Sequence, residues 1–316
     1  MASTTKEVAT ELLPLLRVYT DGTVERLVGS PFVAAGVDPA TGVSSKDVCI
    51  SPDVSARLYL PKLSDDYHEK LPVLVYFHGG GFCVESAFSF LHHRYINILT
   101  SQAKALTVSV EFRSAPEHPL PAAYHDARTA YNWVVSHSAP NNTEKDLWLT
   151  RHGDLHRLFL GGDASGANIA HNTAMSVGVD DRCFQLRGLF LCLPFFWGSE
   201  PIGSEPKDGH LGHMISRVWN FAYPAAGLDH PMVNPFAAGA PTMARMGGSR
   251  LLVCVGQQDI CRERGIHYCD AVRESGWRGE VELYEAEGGK HGFHIVDPET
   301  EMAKAMIARL ASFFQQ

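Results

Sequence analysis

No apolar run in this 316-residue sequence comes near the 18 or so residues needed to cross a bilayer; the longest are Leu71–Phe77 and Leu189–Trp197. Basic residues are in deficit, 27 Lys and Arg against 35 Asp and Glu, for a net charge of −8 with no long basic stripe. Nucleic acid and anionic membrane are therefore excluded as expected partners. The opening MASTTKEVATELLPLLRVYTDG lacks both the continuous apolar stretch and the small-residue cleavage site of a secretory signal. The seven cysteines are odd in number and scattered among apolar residues, a pattern of reduced buried thiols rather than a disulfide framework. These absences together predict a cytoplasmic protein. Internal repeats and low-complexity stretches are missing too.

What is present is a sequence of ordinary globular composition, 45% hydrophobic and 20% charged. Val8, Leu12, Leu13 and Leu16 fall at helical spacing and predict an N-terminal helix, with a turn at Asp21-Gly22. Extended stretches follow at Lys46–Ile50 and Ala56–Leu60. From there, apolar strands at Val73–Phe77, Ala105–Phe112, Leu158–Leu160, Leu189–Leu193, Leu251–Val255 and Val281–Tyr284 alternate with helical patterns at Ala122–Val135, from Gly166, at Arg262–Ser275 and at Glu299–Phe314. Such alternation predicts an α/β fold, a mainly parallel sheet flanked by helices. Residues 195–246 interrupt the rhythm with Pro, Gly, His and aromatics. They are expected to form a cap together with the N-terminal helix (about residues 1–40), within one domain spanning 1–316.

Four features carry chemistry. His78-Gly79-Gly80-Gly81-Phe82 directly follows an apolar strand, and glycines let backbone amides converge on a developing oxyanion. Gly162-Asp163-Ala164-Ser165-Gly166 has the frame of a nucleophile elbow, but its centre is Ala164 where a serine is expected. Centring the elbow on Ser165 would put Asp163 and Ala167 where the glycines belong, so Ser165 offers its backbone N–H instead. Asp259 follows the strand Leu251–Val255, and His291 lies in Gly288–Phe293 after Val281–Tyr284. The order elbow, acid, histidine is that of the α/β-hydrolase triad.

On these residues the chain resembles the plant carboxylesterase family, a hormone-sensitive-lipase-like branch of the α/β-hydrolases. The likeness extends over nearly the whole chain, through Leu15–Val18, Arg113–Tyr124, Ala170-His171-Asn172 and Pro194–Gly198. The resemblance implies a triad of Ala164 (the nucleophile position), Asp259 and His291, and an oxyanion hole from the amides of Gly79, Gly80 and Ser165. Phe82, Phe195, Phe196 and Trp197 are expected to line the substrate pocket. The implied activity is hydrolysis of a small-molecule ester of plant specialised metabolism by a Ser-His-Asp mechanism, this chain being an inactive Ser-to-Ala variant at position 164. Neither cofactor nor metal is implied, and the pairs His210/His213, His92/His93 and His152/His156 lack a third ligand. Two other readings stand beside it: a lyase, dehydratase or cyclase with His291 as base, and a non-catalytic receptor for a hormone-like small molecule. The departures from the family pattern are Ala164, Ser114 where leucine is usual, and His125 where an acid is common.

Overall fold

The computed structural model describes residues 6–64, 68–139, 141, 143, 145–180, 186–205 and 210–315. Its strands are β1 (Val8–Leu12), β2 (Leu16–Tyr19), β3 (Val24–Arg26), β4 (Ser44–Ser51), β5 (Val54–Leu60), β6 (Leu71–Phe77), β7 (Leu106–Glu111), β8 (Gly153–Asp163), β9 (Gly188–Cys192), β10 (Arg250–Gly256) and β11 (Glu280–Ala286). The helices are α1 (Phe90–Ala103), α2 (Ala122–Ser136), α3 (Leu147–His152), α4 (Ser165–Asp180), α5 (His210–Ala222), α6 (Arg262–Glu274), α7 (Phe293–Val296) and α8 (Glu301–Phe313).

Eight strands form one sheet in the order β11-β10-β9-β8-β6-β7-β5-β4. Every pair from β11 to β7 is parallel, and β5 and β4 are added antiparallel at the edge. The whole of β6 is buried, as an apolar run inside a parallel sheet must be. Its side chains alternate between two cores: Val73, Val75 and Phe77 face the layer that includes α2, α4 and α6, while Leu74 and Tyr76 face α1 and α8. The parallel arrangement delivers the carboxyl ends of β6, β8, β10 and β11 to the same edge, where the glycine loop, the elbow, Asp259 and His291 all sit.

The N-terminal helix expected from the leucine spacing is not formed. Residues 8–26 make a three-stranded antiparallel meander, β1-β2-β3. Pro14 stands in the middle of the helical pattern, where it lacks the N–H that a helix needs and restricts Leu13 before it. The chain turns there instead, and Leu12 and Leu16 face each other across the turn, 2% and 0% exposed. The insertion after β9 holds α5, which packs on this meander: Arg217 donates to the Glu11 carbonyl at 3.3 Å. Trp219 of α5 is fully buried against Phe82 of the glycine loop, ring centres 6.1 Å apart.

Candidate active site

The elbow is built between β8 and α4. Ala164 has φ +50°, a left-handed backbone that non-glycine residues adopt rarely and only when the surroundings enforce it. Here the enforcement is main-chain hydrogen bonding. The Ala164 amide donates to the Cys192 carbonyl at 2.9 Å, and its carbonyl accepts from Phe195 and Asn168, each at 3.1 Å. The frame also demands glycine: a Cβ on Gly166 would lie 2.0 Å from the Phe77 carbonyl oxygen. Ser165 is fully buried and its hydroxyl has no hydrogen-bond partner among the described residues, so its side chain does not reach into the position at the tip of the elbow.

The glycine loop passes directly over this turn. A Cβ on Gly79 would stand 3.6 Å from that of Ala164. His78 anchors the loop's start; its ring stacks on Phe112 with centres 4.3 Å apart, and Nδ1 donates to the Gly79 carbonyl at 2.7 Å. Burial pushes the His78 pKa down to about 4, so the ring is neutral at ordinary pH.

Asp259 follows β10 and is 7% exposed. Its Oδ1 accepts from the Cys261 amide at 3.1 Å, and both its oxygens lie 3.0 Å from Nδ1 of His291. The Gln258 amide donates to the Gly289 carbonyl at 2.8 Å, tying the acid-bearing loop to the histidine-bearing one. Burial acts to lower the His291 pKa, but the hydrogen bond and charge of Asp259, with a contribution from Asp163, outweigh it and raise the value above 6.5. With Nδ1 donating to Asp259, Nε2 is the free basic nitrogen, and 43% of the side chain remains exposed to a reactant.

The structure thus brings Gly79, Ala164, Ser165, Asp259 and His291 to one edge of the sheet. The four aromatic candidates are placed differently. Phe82 and Phe195 pack edge to face at 5.5 Å beside the elbow. Phe196 is a core residue between His171 and Tyr268, and Trp197 covers the guanidinium of Arg264 at 4.9 Å. All four are under 8% exposed, and Trp197 borders a small cleft with Gly198, Ser199 and Arg264. A cleft of about 660 Å³ with Glu85, Ser86, Phe112, Arg113 and Ser114 among its lining residues is separate from these positions; neither Gly79–Gly81 nor Ala164, Asp259 or His291 lines it.

Of the other histidine pairs, His92 faces Tyr76 and His93 faces Tyr59, while the side chain of His210 lies outside the described residues. Cys83 beside the glycine loop is buried, which pushes its thiol pKa up to about 12 and leaves it unreactive. The six described cysteines are free, five of them buried; Cys183 lies outside the described residues. None of the described helices is long and apolar enough to cross a membrane. Sequence reasoning missed one pair, Asp163 with His294, whose partners are 131 positions apart.

A strained strand-to-helix turn under a glycine loop, with a histidine–carboxylate pair from the next strands, is the site of an α/β-hydrolase. A family profile described as alpha/beta hydrolase fold matches residues 74–295, and the chain belongs to that family. It is 56% identical to the 2-hydroxyisoflavanone dehydratase of Glycyrrhiza echinata, covering 98% of this chain and 97% of the relative. It is 41% identical to the probable carboxylesterase 2 of Arabidopsis thaliana, covering 100% and 99% respectively. Among solved structures, esterase LipW from Mycobacterium marinum superposes with a TM-score of 0.70 at 25% identity, covering 87% of this chain and 82% of the esterase.

Proposed function

We propose that the chain is a lyase that removes water from a small β-hydroxy carbonyl metabolite of plants, with His291 as the base. One observation carries the reading: the elbow, the glycine loop and the His291–Asp259 pair are all in place, and the single group missing is the hydroxyl that only acyl transfer requires. Proton abstraction next to a carbonyl needs a base and an oxyanion cradle and no covalent nucleophile. In this mechanism Nε2 of His291 takes the proton from the carbon next to the carbonyl. The amides of Gly79, Gly80 and Ser165 hold the resulting enolate oxygen. As the carbon–carbon double bond forms, the C–O bond breaks and the imidazolium returns the proton to the departing hydroxide, releasing water. Asp259 stabilises the imidazolium throughout. No cofactor or metal enters the balance.

The name of the relative at 56% identity, 2-hydroxyisoflavanone dehydratase, supports both the reaction class and a flavonoid-like ring substrate. We extend the proposal to a cap formed by the N-terminal meander and residues 195–246, supported by the packing of α5 on both the meander and Phe82. Cytoplasm remains our proposed compartment, on the strength of the free cysteines.

The test is to incubate the purified chain with a 2-hydroxyisoflavanone and follow formation of the unsaturated product against buffer alone. Turnover that His291→Ala abolishes is expected. A second reading, an ester hydrolase lacking its serine, is supported by the 41% identity to the probable carboxylesterase 2. No dehydration by the chain, combined with strong ester hydrolysis by Ala164→Ser, would favour that reading. A pure receptor for a small molecule predicts neither activity.

A further inference from the structure

Beneath the elbow lies a second histidine–carboxylate pair, sealed from solvent. Asp163 is 3% exposed and His294 0%. Nε2 of His294 donates to Oδ1 of Asp163, and the Tyr76 hydroxyl donates to Oδ2 at 2.5 Å. A carboxylate only accepts, so both donors must carry their protons toward it. The Tyr76 oxygen is then left to accept from Nδ1 of His92, 3.1 Å away. The His92 ring lies 5.4 Å from that of His78, which holds the Gly79 carbonyl. One buried cluster therefore touches the elbow through Asp163, the glycine loop through His78, and the base-bearing loop through His294.

The base-bearing loop needs such an anchor. Gly288 and Gly292 flank Lys290 and His291 with φ of +69° and +70°, and the Gln258–Gly289 bond ties the loop to the acid-bearing one only on the N-terminal side of the base. The helix that follows, α7, is a single turn, too short to hold its own shape. His294 is its buried foot, edge-on to Tyr95 at 5.1 Å. Asp163, Cys192 and His294 form the one group of three possible metal donors among the described residues. Both Asp163 oxygens are already taken, however, and burial holds the Cys192 thiol well above its ordinary pKa, so the group is a hydrogen-bonded cluster.

We propose that Asp163 and His294 are positioning residues: their buried bond clamps the base-bearing loop to the elbow and sets where the His291 imidazole stands relative to it. The proposal rests on His291 acting as the base in the reaction above, so its first readout does not depend on that reaction being found. Proton NMR of the parent chain should show the His291 Nδ1–H, hydrogen bonded to Asp259, as a distinct downfield resonance that His291→Ala removes. In His294→Ala that resonance should broaden or vanish. Turnover of the 2-hydroxyisoflavanone should fall about 10–100-fold in kcat with KM changed less than about threefold, the cost of a base displaced by about an ångström. His294→Gln, which can still donate to Asp163, should recover most of both.

A lowered Tm with the resonance and kcat intact would make the pair mere packing and overturn the proposal. Should His294→Ala fail to fold, His294→Phe, which keeps the ring against Tyr95 and removes the donor, decides: a broadened His291 signal upholds the clamp, and an unchanged one overturns it. One equivalent of zinc in the purified parent, lost in His294→Ala, would also overturn it in favour of a metal site. If the NMR effects appear and no dehydration does, the clamp stands and the lyase reading fails.

Discussion

Nδ1 of His291 lies equidistant from the two oxygens of Asp259, 3.0 Å from each. A proton shared between two acceptors fixes both the tautomer and the plane of the ring, and the negative charge beside it raises the pKa above 6.5. The base works when neutral. The rate of dehydration should therefore rise with pH through a midpoint above 6.5. Asp259→Asn should move that midpoint down and cost on the order of 10⁴ in kcat, as loss of the orienting acid does in a serine triad. A pH–rate profile of both proteins is the check; an unmoved midpoint would detach Asp259 from the base.

Placing a hydroxyl at position 164 should give the site ester-hydrolase chemistry. Ala164→Ser is expected to hydrolyse p-nitrophenyl acetate at least ~10³-fold faster than the parent, since loss of the nucleophile in a serine triad costs on the order of 10⁶. Ser165→Ala in that background should change the rate little, because the Ser165 side chain is buried away from the cleft. Equal ester turnover by parent and Ala164→Ser would remove position 164 from the chemistry altogether.

The elbow tolerates change at its tip and none at its flank. Gly166→Ala would drive a methyl to 2.0 Å from the Phe77 carbonyl oxygen and 2.5 Å from that of His78. Both are backbone atoms, at the end of β6 and the start of the glycine loop, and cannot swing aside as a side chain would. The loss of stability should exceed the ~1–3 kcal/mol of ordinary overpacking, seen as insoluble protein or a large fall in Tm.

Arg264 of α6 and Glu205 of the insertion form a buried pair, with Nε and the second amino group of the guanidinium donating at 2.7 and 2.9 Å. Glu205→Ala would leave a buried unpaired cation and should cost about 3–5 kcal/mol, measured by urea unfolding. Replacing both residues with apolar ones, Glu205→Leu with Arg264→Met, should cost markedly less. Similar losses from the single and the double replacement would show that the charge pairing is not what matters.

Acid should unfold the protein by a histidine route. Burial lowers the pKa of His78 to about 4 and of His171 to about 3. An unfolded histidine takes up its proton near pH 6.5 and these do not, so the stability they confer is complete above 6.5 and drains away as pH falls through that value. For His78 the loss levels off near pH 4, at about 3 kcal/mol in all. Urea unfolding between pH 7.5 and 4.5 should show the decline, and His171→Phe should make it shallower. An identical slope in that variant would discard the assignment.

The parallel strands were legible because each is an apolar run stopped by glycine or a polar turn, as Val73–Phe77 is by His78-Gly79. The Asp259–His291 pair is legible from an acid and a histidine that each follow an apolar strand, in the order that comes after a glycine loop and an elbow, because parallel topology brings those strand ends together. Helix α1 escaped notice: His92, Asn97 and Thr100 are buried polar residues on the face where a periodic reading expects hydrophobic ones. The meander is hidden by the leucine spacing, and Pro14 in the middle of that pattern is the residue that rules the helix out. The Asp163–His294 contact had only a faint local sign, a second histidine three residues after the first. No spacing rule says which buried side chains from two loops will meet.

The turn at Ala164 keeps its left-handed shape through bonds to Cys192, Phe195 and Asn168, each of them main chain to main chain. None of these bonds depends on which side chain stands at the tip. The shape of the turn is thus written in the main chain of three other segments, and the tip is the one position of the elbow whose side chain can be exchanged without touching a bond that holds it.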